Sequence, residues 1–400
     1  MWRRTWRRQR IPPPLFPKPF RPCLFPFPFP LPRFRRRYRR NRGEHRRTYT
    51  PSHPNPESVP PFFMSSDSRL QTPEELVSVY SFIAPELQTL EETMRRELRG
   101  ADPFVEEVIR YAFKLGGKRL RPVLLFLCAK AAGAVTADHH LVAVALEMVH
   151  TATLIHDDIL DGATIRRHLA TMNIRWDNET SVLAGDLLFM IAMQMITRLD
   201  DLDGYRMISE SLRKTCLGEL RQVGARNRFD LTEGEYLDIL GDKTAALLGC
   251  SCRLGAYFAR ATPETVDRYL RYGNLLGLAF QIADDILDLT GKEERMGKTL
   301  GTDLVNRKAT LPLIHYLHTA SPADRKSMLE LVTDEDLANG NGGNIIAMVI
   351  DRLRKNGSID AAAKKADELI DSAIELLPAP GTEATEALTE IARFAVRRRN

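Results

Sequence analysis

The run Asp157-Asp158-Ile159-Leu160-Asp161 recurs downstream as Asp284-Asp285-Ile286-Leu287-Asp288, and both copies lie in strongly apolar, helix-periodic sequence. On a helix the outer aspartates of each copy, four residues apart, share a face, with the middle one a step round the axis. Close carboxylates repel one another and resist desolvation unless a counter-charge arrives. Oxygen-only donors suit Mg²⁺ better than zinc. A solvated acidic face would explain a single copy as readily. Two copies fit a cluster of Mg²⁺ ions clamping one anion from both sides, so two helices distant in sequence must face each other.

Arg166 and Arg167 follow the first copy almost at once, and guanidinium forks match phosphate oxygens. Lys118 and Arg121, three apart after Gly116-Gly117, suit a second diphosphate or are snorkelling surface cations. In Val182-Leu183-Ala184-Gly185-Asp186, Gly185 permits close packing and Asp186 is a candidate to orient a basic partner. Glu219 and Gln222 share a helical face. Lys243-Thr244 reads as a phosphate or oxygen contact, or as a satisfied buried pair. The glycine-punctuated loop from Gly291 to Asp303, containing Lys298 and preceding Arg307-Lys308, reads as a closing lid or an ordinary surface connection.

Composition divides the chain. Residues 1–63 hold 16 Lys and Arg against Glu44 and Glu57, a net +14, whereas the whole chain carries +5 and the remainder therefore −9. The same leader holds 15 of the 24 prolines, which excludes helix and core, so it is predicted to be disordered. It reads as a basic tail for nucleic acid or anionic membrane, as an organelle transit peptide, or as a mis-called start with true initiation at Met64; we favour the last. The predicted domain is 64–400. The 44% hydrophobic content of the 400 residues allows a large core, and no run of about 20 apolar residues is evident to span a membrane. Five cysteines, Cys23, Cys128, Cys216, Cys250 and Cys252, form no metal or disulfide pattern, and the odd count argues for a reducing, cytoplasmic setting. An organelle matrix is the alternative if the leader is a transit peptide.

Thr72-Pro73-Glu74-Glu75 is a capping box, and Pro85 and Asp102-Pro103 mark further helix starts. Long apolar-periodic segments then alternate with short breaks to the C-terminus, where Ala366, Leu369 and Ile370 share a face before the break at Pro378-Ala379-Pro380. No alternating β pattern is evident. The predicted fold is all-α, a single large helical bundle.

Gly116-Gly-Lys-Arg-Leu-Arg-Pro122, the segment His150–Arg167, Val182–Asp186, Gly218-Glu with Gln222, Lys243-Thr-Ala, Gly277–Asp288, Gly297-Lys298 through Asp303, and Lys308-Ala-Thr-Leu-Pro312 together resemble the trans-isoprenyl diphosphate synthase family. The resemblance runs from about Leu76 to the end, and medium- and long-chain, octaprenyl-type members are the most similar. It implies an all-α bundle around a deep central cavity, usually a homodimer. Asp157, Asp158, Asp161, Asp284, Asp285 and Asp288 would hold Mg²⁺ on an allylic diphosphate, with Arg166 on the same group. Lys118, Arg121, His150 and Arg167 match the site for isopentenyl diphosphate. Lys243, Thr244, Gln281, Lys298 and Lys308 match the allylic pocket and its lid. Catalysis would rest on Asp157, Asp158, Asp161, Arg166, Asp284, Asp285 and Lys243.

Two departures accompany the match: the family commonly has glycine where this chain has His168 and Arg307. The growing product would run beside the first motif's helix. There Ala152 and Thr153 are small, and Val149, Ala145 and Leu146 are not aromatic. A medium or long polyprenyl product, centred on octaprenyl and suited to a quinone side chain, is expected rather than farnesyl or geranylgeranyl diphosphate, the short-chain alternative. A terpene cyclase, a head-to-head synthase and a non-catalytic subunit of a heteromeric synthase compete with this reading. No nucleic acid is expected to bind the domain, and peripheral membrane contact could accompany product release.

Overall fold

Capping chemistry sets many of the helix starts in the computed structural model, which describes residues 76–98, 102–115, 117–291, 301–338, 342–379 and 381–397. The leader, the Thr72–Glu75 capping box and Lys298 lie outside the described residues.

Helix α1 (Val77–Phe82) leads into α2 (Ala84–Glu97), whose first turn holds Pro85 and whose Leu87, Leu90 and Met94 are buried. Asp102 accepts from the Phe104 amide at 2.9 Å and starts α3 (Pro103–Leu115). Helix α4 (Leu120–Ala132) follows. The long α5 (Ala137–Leu160) opens on a reciprocal cap, in which the Thr136 amide donates to His139 Nδ1 at 2.8 Å.

A small hairpin comes next, β1 (Ile165–Arg166) pairing antiparallel with β2 (Leu169–Ala170). Its turn residues Arg167 and His168 have φ of 53° and 62°, the left-handed pair of a type I′ turn. The hairpin is a small β addition to the bundle; strands of two residues are too short to display alternation, so the sequence pattern does not reveal it.

Beyond it lie α6 (Met172–Arg175), α7 (Asn178–Ile196) capped by Asp177, and α8 (Leu202–Gly224) capped by Asp201. Helix α9 (Glu233–Leu240), with a Thr232/Glu235 capping box, passes through one π-helical turn, Gly241–Ala245, into α10 (Ala246–Phe258). Thr262 caps α11 (Pro263–Thr290), which has proline in its first turn. The chain closes with α12 (Thr302–Val305), α13 (Leu311–Thr319), α14 (Pro322–Val332), α15 (Glu335–Ala338), α16 (Gly343–Lys355), α17 (Ser358–Glu375) and α18 (Glu383–Arg397).

Helix α5 packs along α7, α10 packs against both α4 and α11, and α17 lies on α11. One continuous apolar core joins them and includes the fully buried Phe126, Leu146, Met148, Phe258 and Tyr272. The all-α expectation holds. One sequence inference is revised: α7, at 19 residues, is long and apolar enough to cross a membrane by length and composition. Its inner face packs on α5, and Leu183, Leu187 and Met190 form an exposed outer stripe at helical spacing.

Candidate active site

The first acidic motif occupies the last turns of α5, and its three carboxylates go to different partners. Asp158, buried at 2% exposure, accepts Arg166 Nε at 2.9 and 3.0 Å and Nη2 at 2.8 Å. The hairpin delivers that guanidinium. Asp161, at the helix C-cap, accepts from Lys308 Nζ at 3.1 Å and Arg226 Nη2 at 3.2 Å. Asp157 faces Lys243. Burial pushes its carboxyl up to about 6, with Glu219 and Asp161 adding to the rise and Lys243 opposing it.

The second motif lies on α11. Asp285 is buried and accepts from Tyr236 Oη at 2.7 Å and Gln281 Nε2 at 2.9 Å. Burial, then the nearby Asp303, hold its carboxyl far above the usual range in spite of those bonds. Asp288 Oδ2 accepts the Asp303 amide at 3.0 Å. Asp284 is half-buried on the same helix.

The π-turn ties the two faces together. Lys243 Nζ donates to Glu219 at 2.8 Å and Gln222 Oε1 at 2.6 Å, which unites the two candidates read three apart on α8. Thr244 Oγ1 donates to Gln281 Oε1 at 3.2 Å, and Gln281 in turn holds Asp285. The turn can sit this close because α8 presents Gly218 to it: a Cβ there would stand 2.2 Å from the Lys243 nitrogen. A second link runs through Lys308, which bonds Asp161 and lies 3.7 Å from Asp303. Burial pulls the Lys308 ammonium down, but Asp303 and Asp161 outweigh it and keep it more basic than an ordinary lysine.

A separate cationic cradle forms where the 117–121 loop meets α5 and the hairpin. Burial, followed by Arg121, Arg166, Arg167 and Arg119, holds the His150 imidazole well below its usual value, so it is neutral at pH 7. Burial lowers Arg121 to about 10 against the opposing pull of Glu147 and Asp157. The Arg167 guanidinium reaches over Gly117, where a Cβ would lie 2.2 Å from Nη2. Lys118 Nζ lies 5.3 Å from the centre of the Phe394 ring of α18.

Val149 and Ala152 are buried on α5, and Thr153 Oγ1 donates to the His150 carbonyl at 2.8 Å. Gly185 approaches His156 closely, as its small size suggested, and Asp186 lies 3.8 Å from His156 Nε2. Sequence reasoning missed Arg226 and Tyr236, and it did not pair Asp303 with Asp288, whose Oδ2 accepts the Asp303 amide. Each is recognisable only through a partner at least 15 residues away, and neither Arg226 nor Tyr236 stands in a patterned motif.

Among the described residues, no three Asp, Glu, His or Cys side chains converge as a preformed metal centre. The donor set nonetheless fits a hard cation. Asp157 and Asp161 offer oxygens one helical turn apart, and the weakened acidity of Asp157 and Asp285 marks dry surroundings with excess negative charge.

Two aspartate-rich helix faces joined by lysines, beside a distinct cation cradle and inside an all-α bundle, suit an enzyme of the prenyltransferase class. Residues 102–347 match the family model described as polyprenyl synthetase. The chain belongs to the polyprenyl synthetase family and is a prenyltransferase. It is 33% identical over 324 residues to an octaprenyl diphosphate synthase of Escherichia coli (strain K12), covering 81% of this chain and 99% of that one. It is likewise 33% identical over 326 residues to a heptaprenyl diphosphate synthase component 2 of Geobacillus stearothermophilus, covering 81% and 99%. A polyprenyl synthase from Caulobacter crescentus CB15, solved with calcium and isoprenyl diphosphate, superposes with a TM-score of 0.74 at 29% identity, covering 81% of this chain and 98% of that one.

Proposed function

We propose that this prenyltransferase condenses isopentenyl diphosphate repeatedly with an allylic diphosphate, giving an all-trans polyprenyl diphosphate of medium or long chain. Octaprenyl is the central expectation and a quinone side chain the destination. The observation that carries the reading is the pairing of two unlike anion sites: one rich in carboxylates, between the α5 and α11 motifs, and one built from the cations Lys118, Arg121 and Arg167 around the neutral His150.

Asp157, Asp161 and Asp284 would hold Mg²⁺, with Asp158, Asp285 and Asp288 supporting them; the calcium in the Caulobacter relative favours a divalent cation here. When bound, Mg²⁺ supplies positive charge where the departing diphosphate gathers negative charge. Lys243, Lys308 and Arg166 add fixed charge to the same group. Thr244 and Gln281 orient the allylic end. Neutral His150 adds a hydrogen bond in the cradle without competing for a proton, while Lys118, Arg121 and Arg167 neutralise the second diphosphate. Attack by the isopentenyl double bond on the allylic cation forms the new carbon–carbon bond. Released diphosphate then takes the proton, which regenerates an allylic product one unit longer. Apolar side chains of α5, including Val149 and Ala152, exclude water along the product's path.

Incubating the full chain with Mg²⁺, labelled isopentenyl diphosphate and farnesyl or geranylgeranyl diphosphate tests this. A ladder ending at one defined long chain is expected. The Geobacillus relative is named as a component 2, which favours one second reading, a subunit of a heteromeric synthase; incorporation only after a partner chain is added would establish it.

A further inference from the structure

Arg119 stands between Lys118 and Arg121 in the sequence, yet it faces the other way. Its side chain is buried at 6% exposure, with Nη1 donating to Glu147 at 2.7 Å and Nε to Glu91 at 3.1 Å. Glu147 belongs to α5 and is itself 1% exposed; Glu91 belongs to α2. The backbone at Arg119 has φ 52°, a left-handed conformation that a side-chain-bearing residue keeps only when its surroundings over-determine it. That residue is also the N-cap of α4, so its conformation decides how the loop enters the helix carrying Arg121.

The rest of the loop is pinned by other means. Tyr80 Oη donates to the Lys118 carbonyl at 2.5 Å, and Gly117 is overlain by the Arg167 guanidinium. A buried ion pair adds little net stability over a well-packed apolar substitute, because desolvation offsets most of the attraction. What such a pair does provide is a single geometry. Glu147 is moreover one helical turn before His150, and its field reaches Arg121. One carboxylate thus ties the loop to the helix that supplies the cradle's imidazole.

We propose that Arg119, clamped by Glu147 and Glu91, is a positioning residue that holds Lys118 and Arg121 in register with His150 and Arg167 to receive a diphosphate. The inference rests on the reading of that cradle as the isopentenyl diphosphate site. Arg119 touches no substrate; it acts through its neighbours.

The test uses the full chain with Arg119→Lys and Glu147→Gln, and with Glu91→Gln as the milder change should either of the others fail to fold. Two measurements are made on each: binding of isopentenyl diphosphate by calorimetry with Mg²⁺ and no primer, and the KM values for both substrates. We expect isopentenyl diphosphate affinity to fall, and its KM to rise, about tenfold, with the allylic KM within about twofold of wild type. Glu91→Gln should move both in the same direction by less. An unchanged ratio of the two KM values, or unchanged calorimetric affinity, overturns the proposal even if the unfolding temperature drops. Wild type that binds isopentenyl diphosphate without incorporating it would sink the proposed function and leave the positioning role standing on the affinity shift. No binding by wild type overturns the positioning role.

Discussion

His168 and Arg307 hold left-handed backbones, at φ 62° and 53°, and these are the two places where the family resemblance led us to expect glycine. A side chain in that region costs roughly 1–2 kcal/mol, so the strain explains the family preference and predicts its reversal. His168→Gly should raise stability by about 1 kcal/mol in thermal unfolding. Arg307→Gly should gain less, because Arg307 Nη1 donates to Asn227 Oδ1 at 3.2 Å and that bond is lost. Asp157 makes a pH prediction. Its carboxyl is raised to about 6 from an ordinary 3.8, so without ligand its contribution to stability is present below the ordinary value and lost as pH climbs through 6. The ionised form is the one that binds a cation. Mg²⁺ should therefore raise the unfolding temperature more above pH 6 than below it, and a Mg²⁺ shift independent of pH would remove Asp157 from the metal site. Ala152 predicts a product: Ala152→Phe should shorten the chain seen on chromatography, and an unaltered length would show that this part of α5 does not wall the product's path.

The π-turn between α9 and α10 is the element on which the site depends most, since its Lys243 and Thr244 reach toward both acidic helices. Gly218→Ala places a methyl 2.2 Å from the Lys243 nitrogen. It should destabilise the fold by about 1–3 kcal/mol, as overpacking generally does, and should lower turnover more than a stability loss of that size accounts for. Turnover close to wild type would mean the turn shifts without consequence. The sequence announced α2 through Pro85 and α3 through Asp102-Pro103. It gave no sign that Gly241–Ala245 winds as a π-turn, because that choice follows from the close approach to α8 and not from any local preference. The hairpin was invisible for a related reason: its strands are shorter than any pattern that could announce them.

At the scale of the molecule, helical periodicity and the doubled aspartate motif were enough to read an all-α bundle with facing acidic helices. Charged groups in apolar helices are conspicuous, and helix periods depend on neighbours only a few residues away. Pairings across the fold left no such trace. Tyr236 with Asp285, Arg226 with Asp161 and Arg119 with Glu147 are ordinary residues until folding brings them together. The outer stripe of α7 makes the last prediction. Leu183 at 60% and Met190 at 55% exposure lie on a face of apolar residues, which supports the expected homodimer with a second copy seated there. If a second copy seats there, Leu183→Asp with Met190→Asp should halve the mass measured by light scattering; an unchanged mass, or a wild-type mass of one chain, would remove this face as a dimer interface. The π-turn also has a bearing on how such a chain can diverge. Removing one residue from Gly241–Ala245 would restore regular winding and leave α9 and α10 nearly in register, but it would take away the bulge that carries Lys243 to Glu219 and Thr244 to Gln281. A chain that keeps this site must therefore keep both the length of the turn and its Lys243 and Thr244, while insertions and deletions are accommodated in the loops outside it.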